Sequence, residues 1–393
     1  MTSTRRPKSR RNRWLTPVFM LVLAGLAAAG WGVAQEAQDA VLESRSGSIT
    51  SVNIDPDAPG FRAFTEPTPT ALVLHTTVTA EGDAALVGAS VLVTADGGLG
   101  GTVLSVPSGL VTPGSDVTLA GLFTNEGFGA VVSAMKETLG VGFGDVVVLD
   151  ASSWTTLMAP DLPLTMSLRN DLIEEVGESD VRTLLDSGTR QFSPAEVGLV
   201  ARHVNPDEPS IGVARRQLEI WRAWISRTAV APERPDLFGV EDGFIDLIGD
   251  LANGEVAYRL IPIAVSEGAG SASTYSTEPA AVDELVASLI TFPIPPEPGG
   301  RATVMLLDGT GGAADERAIL SDIVAAGGQV AILGNADSAA VATTEIQVHD
   351  PELVEVARII ASRLGAASPV AVPLGEATVA ITVIVGADQV PSA

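Results

Sequence analysis

The sequence predicts a layered α/β protein built on a central mixed sheet, with a small C-terminal α+β module of the split βαβ type and one N-terminal transmembrane helix. Three observations carry this expectation. A hairpin signal, a helix and the continuous apolar run Asp-Val-Val-Val-Leu-Asp at 145–150 follow one another. Such a run suits a strand buried on both faces, which calls for helices on both sides of a sheet. Residues 302–389 read strand, helix, strand, strand, helix, strand. Residues 14–34 carry no charge and would span about 31 Å as a helix, one bilayer core.

Arg5, Arg6, Lys8, Arg10, Arg11 and Arg13 precede that span, and no acid occurs before Glu36. The asymmetry places the tail, residues 1–13, in the cytoplasm and the body outside it, as a single-pass protein of the cell membrane. Gly32-Val33-Ala34 also fits a signal-peptide cleavage site, so anchor and cleaved signal both stay open; the body is extracytoplasmic either way. Residues 35–70 are polar and aperiodic, with several Pro and Thr, and read as a stalk.

A β-branched, alternating strand is expected at 71–79. In the hairpin that follows, Val91, Val93 and Ala95 alternate, Ala95-Asp96-Gly97-Gly98 is the turn, and Thr102 to Val106 returns until Pro107-Ser108-Gly109 stops it. Phe128, Val131, Val132, Met135 and Leu139 recur at helical spacing within 124–140, with Gly140 as cap. Ser193-Pro194-Ala195-Glu196 is a capping box with Pro at the first helical position, opening a helix that ends at Arg202. A second helix, 211–228, turns Ala214, Leu218, Trp221 and Ile225 to one side. Further helices are expected at 237–252 and 279–290, with a strand at 256–264 between them. The prolines of 291–301 make a semi-rigid, extended linker.

In the last module, Ile319, Leu320, Ile323 and Val324 face inward from a helix at 313–326. Asp350 caps a second helix with Pro351 at its first position, and the module is expected to fold alone.

The 393 residues suffice for two domains, and 46% hydrophobic content is enough for a sizeable core. The absence of Cys excludes disulfides and thiolate metal sites. Six of the 23 basic residues lie in the tail, leaving 17 basic against 48 acidic residues elsewhere. So acidic a body excludes nucleic acid as a partner.

The hairpin resembles the core hairpin of the LytR–CpsA–Psr (LCP) family of cell-wall ligases. There the first strand opens with a Ser-Asp-Thr-like triplet and the second ends in a Ser-Ile-Pro-Arg-Asp-like motif. The Arg and the acids hold a lipid-linked pyrophosphate and its divalent cation. Gly88-Ala89-Ser90 and Ser105-Val106-Pro107-Ser108-Gly109 stand at those places, with the frame kept and the charges gone. The family also carries a Tyr-x-Arg-x-Arg-like segment and an Asp-x-x-Arg-x-x-Arg-Gln-like helix start. Arg202, Arg216 and Gln217 match these; His203-Val204, Ser210 and Val213 depart from them. Residues 302–388, with Asp308-Gly309-Thr310-Gly311, Gly334-Asn335-Ala336-Asp337 and Val385-Gly386-Ala387-Asp388, resemble the LytR C-terminal domain. The resemblance implies an LCP-like layered domain over 71–290 and a LytR C-terminal domain over 302–389. For active relatives it implies Mg²⁺-dependent transfer of a glycopolymer from a polyprenyl-pyrophosphate carrier to peptidoglycan.

Guanidinium groups suit phosphate oxygens because their planar fork binds bidentately. Arg202, Arg215, Arg216 and Gln217 are therefore the candidate lipid-phosphate-binding residues. The competing reading of the Arg cluster is surface charge at a helix end, with Arg215 near Glu219. Asp96 reads as a turn residue. The Asp308 loop lacks the Lys of a nucleotide-binding loop, and its acid repels phosphate, so it reads as a tight strand-to-helix turn. His75, His203 and His349 have no partner at metal spacing and read as structural or exposed, and no metal ligand set is assigned. Trp221 and Trp224 read as core or domain contacts.

The expectation is a non-catalytic, LCP-like binding or scaffolding protein of the cell envelope. Its partners are the membrane, through the N-terminal helix, and a polyprenyl-phosphate lipid or cell-wall glycan, with no cofactor. The alternative is a phosphotransferase with rearranged active-site residues, which would require Mg²⁺.

Overall fold

The computed structural model describes residues 55–79, 81–158, 163–177, 180–228, 242–266, 273–371 and 378–391. The chain divides after Asp55, and the fold is that of the unit beginning at Pro56. The expected tail, transmembrane span and most of the stalk lie outside the described residues. Among the described helices none is long and apolar enough to cross a membrane.

Strand β1 (Arg62–Phe64) joins the second sheet, treated below. The first sheet is built from β2 (Thr70–Val78), β3 (Ala84–Thr94), β4 (Gly101–Pro107) and two later strands. The hairpin forms where alternation and the Gly-rich turn place it, with β3 antiparallel to both neighbours. Helices α1 (Leu119–Glu126) and α2 (Phe128–Leu139) divide the helix expected at 124–140. Gly127 sits between them at φ 84°, a torsion open to glycine, and ends one helix as it starts the next.

Strand β5 (Asp145–Leu149) corrects the expectation of burial on two faces. It pairs only with β2, at the sheet edge, and leaves Val146 and Val148 more than 40% exposed. An apolar run reports high local hydrophobicity; it does not report where in the sheet the strand lands.

Next come α3 (Ala151–Met158) and four short strands: β6 (Leu164–Leu168), β7 (Leu172–Val176), β8 (Asp180–Leu185) and β9 (Gly188–Phe192). They pair as two small ribbons, β6 with β9 and β7 with β8. Helix α4 (Pro194–Arg202) begins at the expected capping box, with both reciprocal bonds between Ser193 and Glu196 formed. Helix α5 (Ser210–Thr228) buries Ala214, Leu218, Trp221 and Ile225 as its periodicity requires.

Then follow α6 (Asp242–Ala252), β10 (Val256–Leu260), the short pair β11 (Ala264–Ser266) and β12 (Thr274–Ser276), and α7 (Pro279–Leu289). The sheet order is β10-β4-β3-β2-β5, a mixed sheet with an apolar cluster on each face. One face packs α3 to α6 and the other α1, α2 and α7.

The C-terminal part contains β13 (Ala302–Asp308), α8 (Glu316–Ala325), β14 (Gly328–Asn335), β15 (Glu345–Val348), α9 (Val354–Arg363), β16 (Val370–Ala371) and β17 (Ile381–Val385). Its six-stranded sheet has the order β1-β14-β13-β17-β15-β16. This differs from the split βαβ expectation, because β13 and β14, joined through α8, are immediate parallel neighbours with no strand between them. Element order was readable from periodicity, whereas strand insertion is decided by tertiary pairing.

The stalk expectation also needs correction near its end. Residues 62–64 pair antiparallel with β14, so the edge of the C-terminal sheet comes from a segment about 270 positions earlier in the chain than the strand it pairs with. The linker is likewise anchored. Thr68 N donates to Phe292 O at 2.9 Å, Phe292 N to Thr68 Oγ1 at 3.0 Å, and Gly142 N to Ile294 O at 2.7 Å. Arg301 donates to Gly140 O at 2.8 Å, to Gly328 O at 3.0 Å and to Val324 O, serving the carbonyl ends of α2 and α8. Burial lowers its pKa to about 10, opposed by Asp283. The turn residue Asp96 accepts from Thr291 Oγ1 at 2.5 Å and faces Arg317 at 3.7 Å. The C-terminal module is thus completed and held by residues outside 302–389.

Candidate functional site

The sequence-predicted site residues converge where the hairpin meets the α4–α5 corner. The register pairs Gly88 with Pro107, Ala89 with Val106 and Ser90 with Ser105. Alternation then sends Ser90 and Ser105 towards α5, and Ala89 and Val106 into the opposite apolar cluster. Ser105 Oγ donates to Ala214 O at 3.1 Å, and Gly109 N donates to Ser210 Oγ at 3.0 Å. A side chain on Gly88 would meet Gln217 Oε1 at 2.4 Å, and one on Gly109 would meet Ser210 Oγ at 2.7 Å. The frame is therefore closed around small residues. At position 89 a carboxylate would be buried among apolar side chains.

Arg216 lies nearly two helical turns inside α5 and is spent on the corner itself. Its Nε donates to Val200 O at 3.0 Å, Nη1 to Glu208 Oε1 at 2.5 Å and Nη2 to His203 O. The Arg216 and Glu208 side chains are 9% and 11% exposed. Gln217, fully buried, donates Nε2 to Ala201 O at 3.1 Å. Together the two side chains satisfy carbonyls at the end of α4 that the helix leaves unpaired. Arg202 ends α4 half-buried, and its Nε has no hydrogen-bond partner among the described residues. Arg215 is exposed.

Beneath this corner lies a buried polar cluster that the sequence reading did not assemble. His75 Nε2 and Ser90 Oγ are 2.8 Å apart, and Trp221 Nε1 donates to the same hydroxyl at 3.0 Å. The His75 ring stacks on Trp154 at 5.5 Å and 14°, and Trp154 meets Trp221 edge-on at 5.0 Å. Trp224 completes the group at 5.5 Å from Trp221. Burial pushes the His75 pKa down to about 3, so the ring is neutral at physiological pH. His75 Nδ1, Trp154 Nε1 and Gln217 Oε1 have no hydrogen-bond partner among the described residues. The available signal was a lone His on the strand face that alternation turns inward; its partners lie 15 to 146 positions away in sequence, where no local pattern reaches.

The remaining histidines each have one close polar partner. His203 Nε2 lies 2.7 Å from Ile173 O, and His349 Nε2 lies 3.0 Å from Thr382 Oγ1. No group of three or more His, Asp or Glu side chains among the described residues could hold a metal ion. The divalent cation of the LCP resemblance does not fit here, since the positions matched to its acids are Ala89, facing apolar core, and Gly109, closed by Ser210.

The geometry defines a mixed α/β protein whose hairpin–helix junction is close-packed and internally satisfied at Arg216. No protein-family model and no curated protein matches this sequence. The solved structures to which the chain is similar include LCP-family proteins. They include TagV of B. subtilis, at 13% identity and TM-score 0.42, over 56% of this chain and 96% of that one. TagT bound to LI-WTA is similar at 13% identity and TM-score 0.43, over 56% and 89%. The LytR-CPS2A-psr family protein YwtF (TagT) with bound octaprenyl pyrophosphate lipid is similar at 12% identity and TM-score 0.40, also over 56% and 89%.

Proposed function

We propose that this is a membrane-anchored, extracytoplasmic cell-envelope protein whose LCP-like unit is a non-catalytic binding or scaffolding element for a polyprenyl-phosphate lipid or cell-wall glycan. The family reading starts from the hairpin and helix motifs and from their convergence at one corner. The observation that carries the non-catalytic part is the commitment of Arg216. A transition state that develops phosphate charge requires preorganised donors free to meet it. Three of the five N–H donors of this guanidinium already serve Val200, His203 and Glu208, and the side chain is only 9% exposed. Any lipid phosphate would be met by Arg202 and Arg215, with Arg216 and Gln217 acting as the scaffold behind them.

The test uses the full chain in detergent with a prenyl-pyrophosphate-linked saccharide and a glycan acceptor. No cleavage of the pyrophosphate linkage is expected with or without Mg²⁺ or Mn²⁺. Prenyl monophosphate is retained in native mass spectra and is lost from the Arg202→Ala, Arg215→Ala double variant. Metal-dependent turnover that disappears in Arg202→Ala would overturn this reading in favour of a phosphotransferase with rearranged residues.

A further inference from the structure

The segment that precedes the first sheet returns to the last one as a strap along the outer edge of β14. Arg62 pairs with Gly334, Ala63 with Leu333 and Phe64 with Ile332. Hydrogen bonds extend this strand both ways. Thr65 N donates to Ala331 O at 3.1 Å, and Thr65 Oγ1 to Val330 O at 2.7 Å. At the other end Asn335 N donates to Phe61 O at 2.9 Å, and Gly60 N to Ala336 O at 3.3 Å. Asn335 Nδ2 closes that end by donating to Pro56 O at 2.8 Å and to Ala58 O at 2.9 Å.

Hydrogen bonds, and not a shared core, hold this strap. Residues 62–64 are all exposed, Phe64 by 84%. Among the described residues no apolar cluster includes any of 56–65. By contrast β14 pairs with β13 on its inner side and buries Val330 and Ile332. Hydrogen bonds open to water add little net stability, and elements held mainly by them open locally. The strap also has a hinge. Thr65 is bonded to β14, whereas Thr68 is buried and bonded to Phe292. Between them Glu66 and Pro67 are exposed, and the proline ring keeps Glu66 extended. The strap can therefore leave β14 without disturbing Thr68 or β2.

Its position gives it something to gate. Pro56, Asp57, Pro59 and Phe61 form one wall of a cleft of about 660 Å³. Asp308 and Asn335, the last residues of β13 and β14, border the cleft on the sheet side, and Glu316 borders it from the start of α8. A side chain at Gly334 would lie 2.1 Å from Phe61 O, so glycine is needed for this wall to close on β14. With the strap closed, the wall is complete and the outer edge of β14 is paired. With it open, the wall is gone and that edge is bare.

We propose that residues 56–65 are a strap that detaches from β14 as one unit, hinged at Glu66 and Pro67, while both sheets stay folded, and that its opening and closing gates the C-terminal cleft. Hydrogen exchange read by mass spectrometry on the full chain in detergent tests this. Amides of 60–65 are expected to exchange about a hundredfold or more faster than those of β13 and β17. Asn335→Ala removes the bonds to Pro56 and Ala58, and should speed the strap about tenfold further with β13 and β17 unchanged. Gly334→Ala should expel the strap, so that 60–65 lose all protection while β13 and β17 keep theirs. Protection of the strap equal to that of β13 and β17 would overturn the proposal. So would loss of protection from all three in both variants, or a strap unmoved by either substitution.

Discussion

The hairpin–helix corner and the C-terminal cleft hold charge in opposite ways. At the corner Arg216 is enclosed with Glu208 and serves three partners of its own chain. In the C-terminal sheet Asp57, Asp308 and Glu316 border one open cleft of about 660 Å³, and Asp308 is held by Thr310 and Gly312 of its own loop. The first arrangement lowers the cost of burying polar groups and fixes the α4–α5 angle. The second holds a carboxylate at the rim of an open space through hydrogen bonds from its own loop. Residue type alone misleads here: the arginines that resemble a phosphate site include a structural one, and the acid-bearing Gly-rich loop that reads as a plain turn borders the open space.

The contrast is most exposed to test by pH. Burial lowers the His75 pKa from 6.5 to about 3. Between those values the unfolded chain binds a proton that the folded chain refuses, so stability is full above pH 6.5 and falls as pH drops towards 3. The loss reaches at most ~5 kcal/mol at pH 3. Urea denaturation from pH 7 to 3 should show a component of this slope that is missing in His75→Asn. An unchanged slope would mean that the cluster beneath the corner is open to water.

Arg216→Ala comes next. It strands Glu208 and the α4 carbonyls, for a loss of about 3–5 kcal/mol. A change below about 1 kcal/mol in denaturant midpoints, converted through m, would return Arg216 to the list of free phosphate ligands. Gly109→Asp should cost about 1–3 kcal/mol through overpacking against Ser210, and should not create Mg²⁺ binding by calorimetry. Metal binding by that variant would show the loop to be more adaptable than its contacts indicate. The smallest effect belongs to the cleft: Glu316→Gln should leave stability within about 0.5 kcal/mol. A larger loss on thermal melting would make Glu316 part of the fold, as Arg216 is, and erase the contrast.

The hairpin, the Ser193–Glu196 capping box, the Gly140 cap and the apolar face of α5 were legible because each depends on residues a few positions apart. Alternation, capping and the 3.6-residue period are local geometry, and the sequence carries them directly. The convergence of residues 88–90, 105–109 and 202–217 on one corner was also legible, through the family resemblance. Even there, only the fold shows which way each side chain turns. A one-residue difference in strand parity sends Ser90 to Trp221 and Ala89 into the opposite core.

The sequence by itself determined the order of the hairpin, α4, α5 and the helices and main strands of 302–389, the caps at Gly140 and Ser193, and the division between a basic tail and an acidic body. Tertiary structure alone decided that β5 is an edge, that β13 and β14 are direct neighbours, that residues 62–64 finish the last sheet and that Arg216 is enclosed. The physical reason is range. Secondary structure follows from torsions and hydrogen bonds between near neighbours. Strand order, burial and the pairing of charges depend instead on which distant surfaces exclude water from one another.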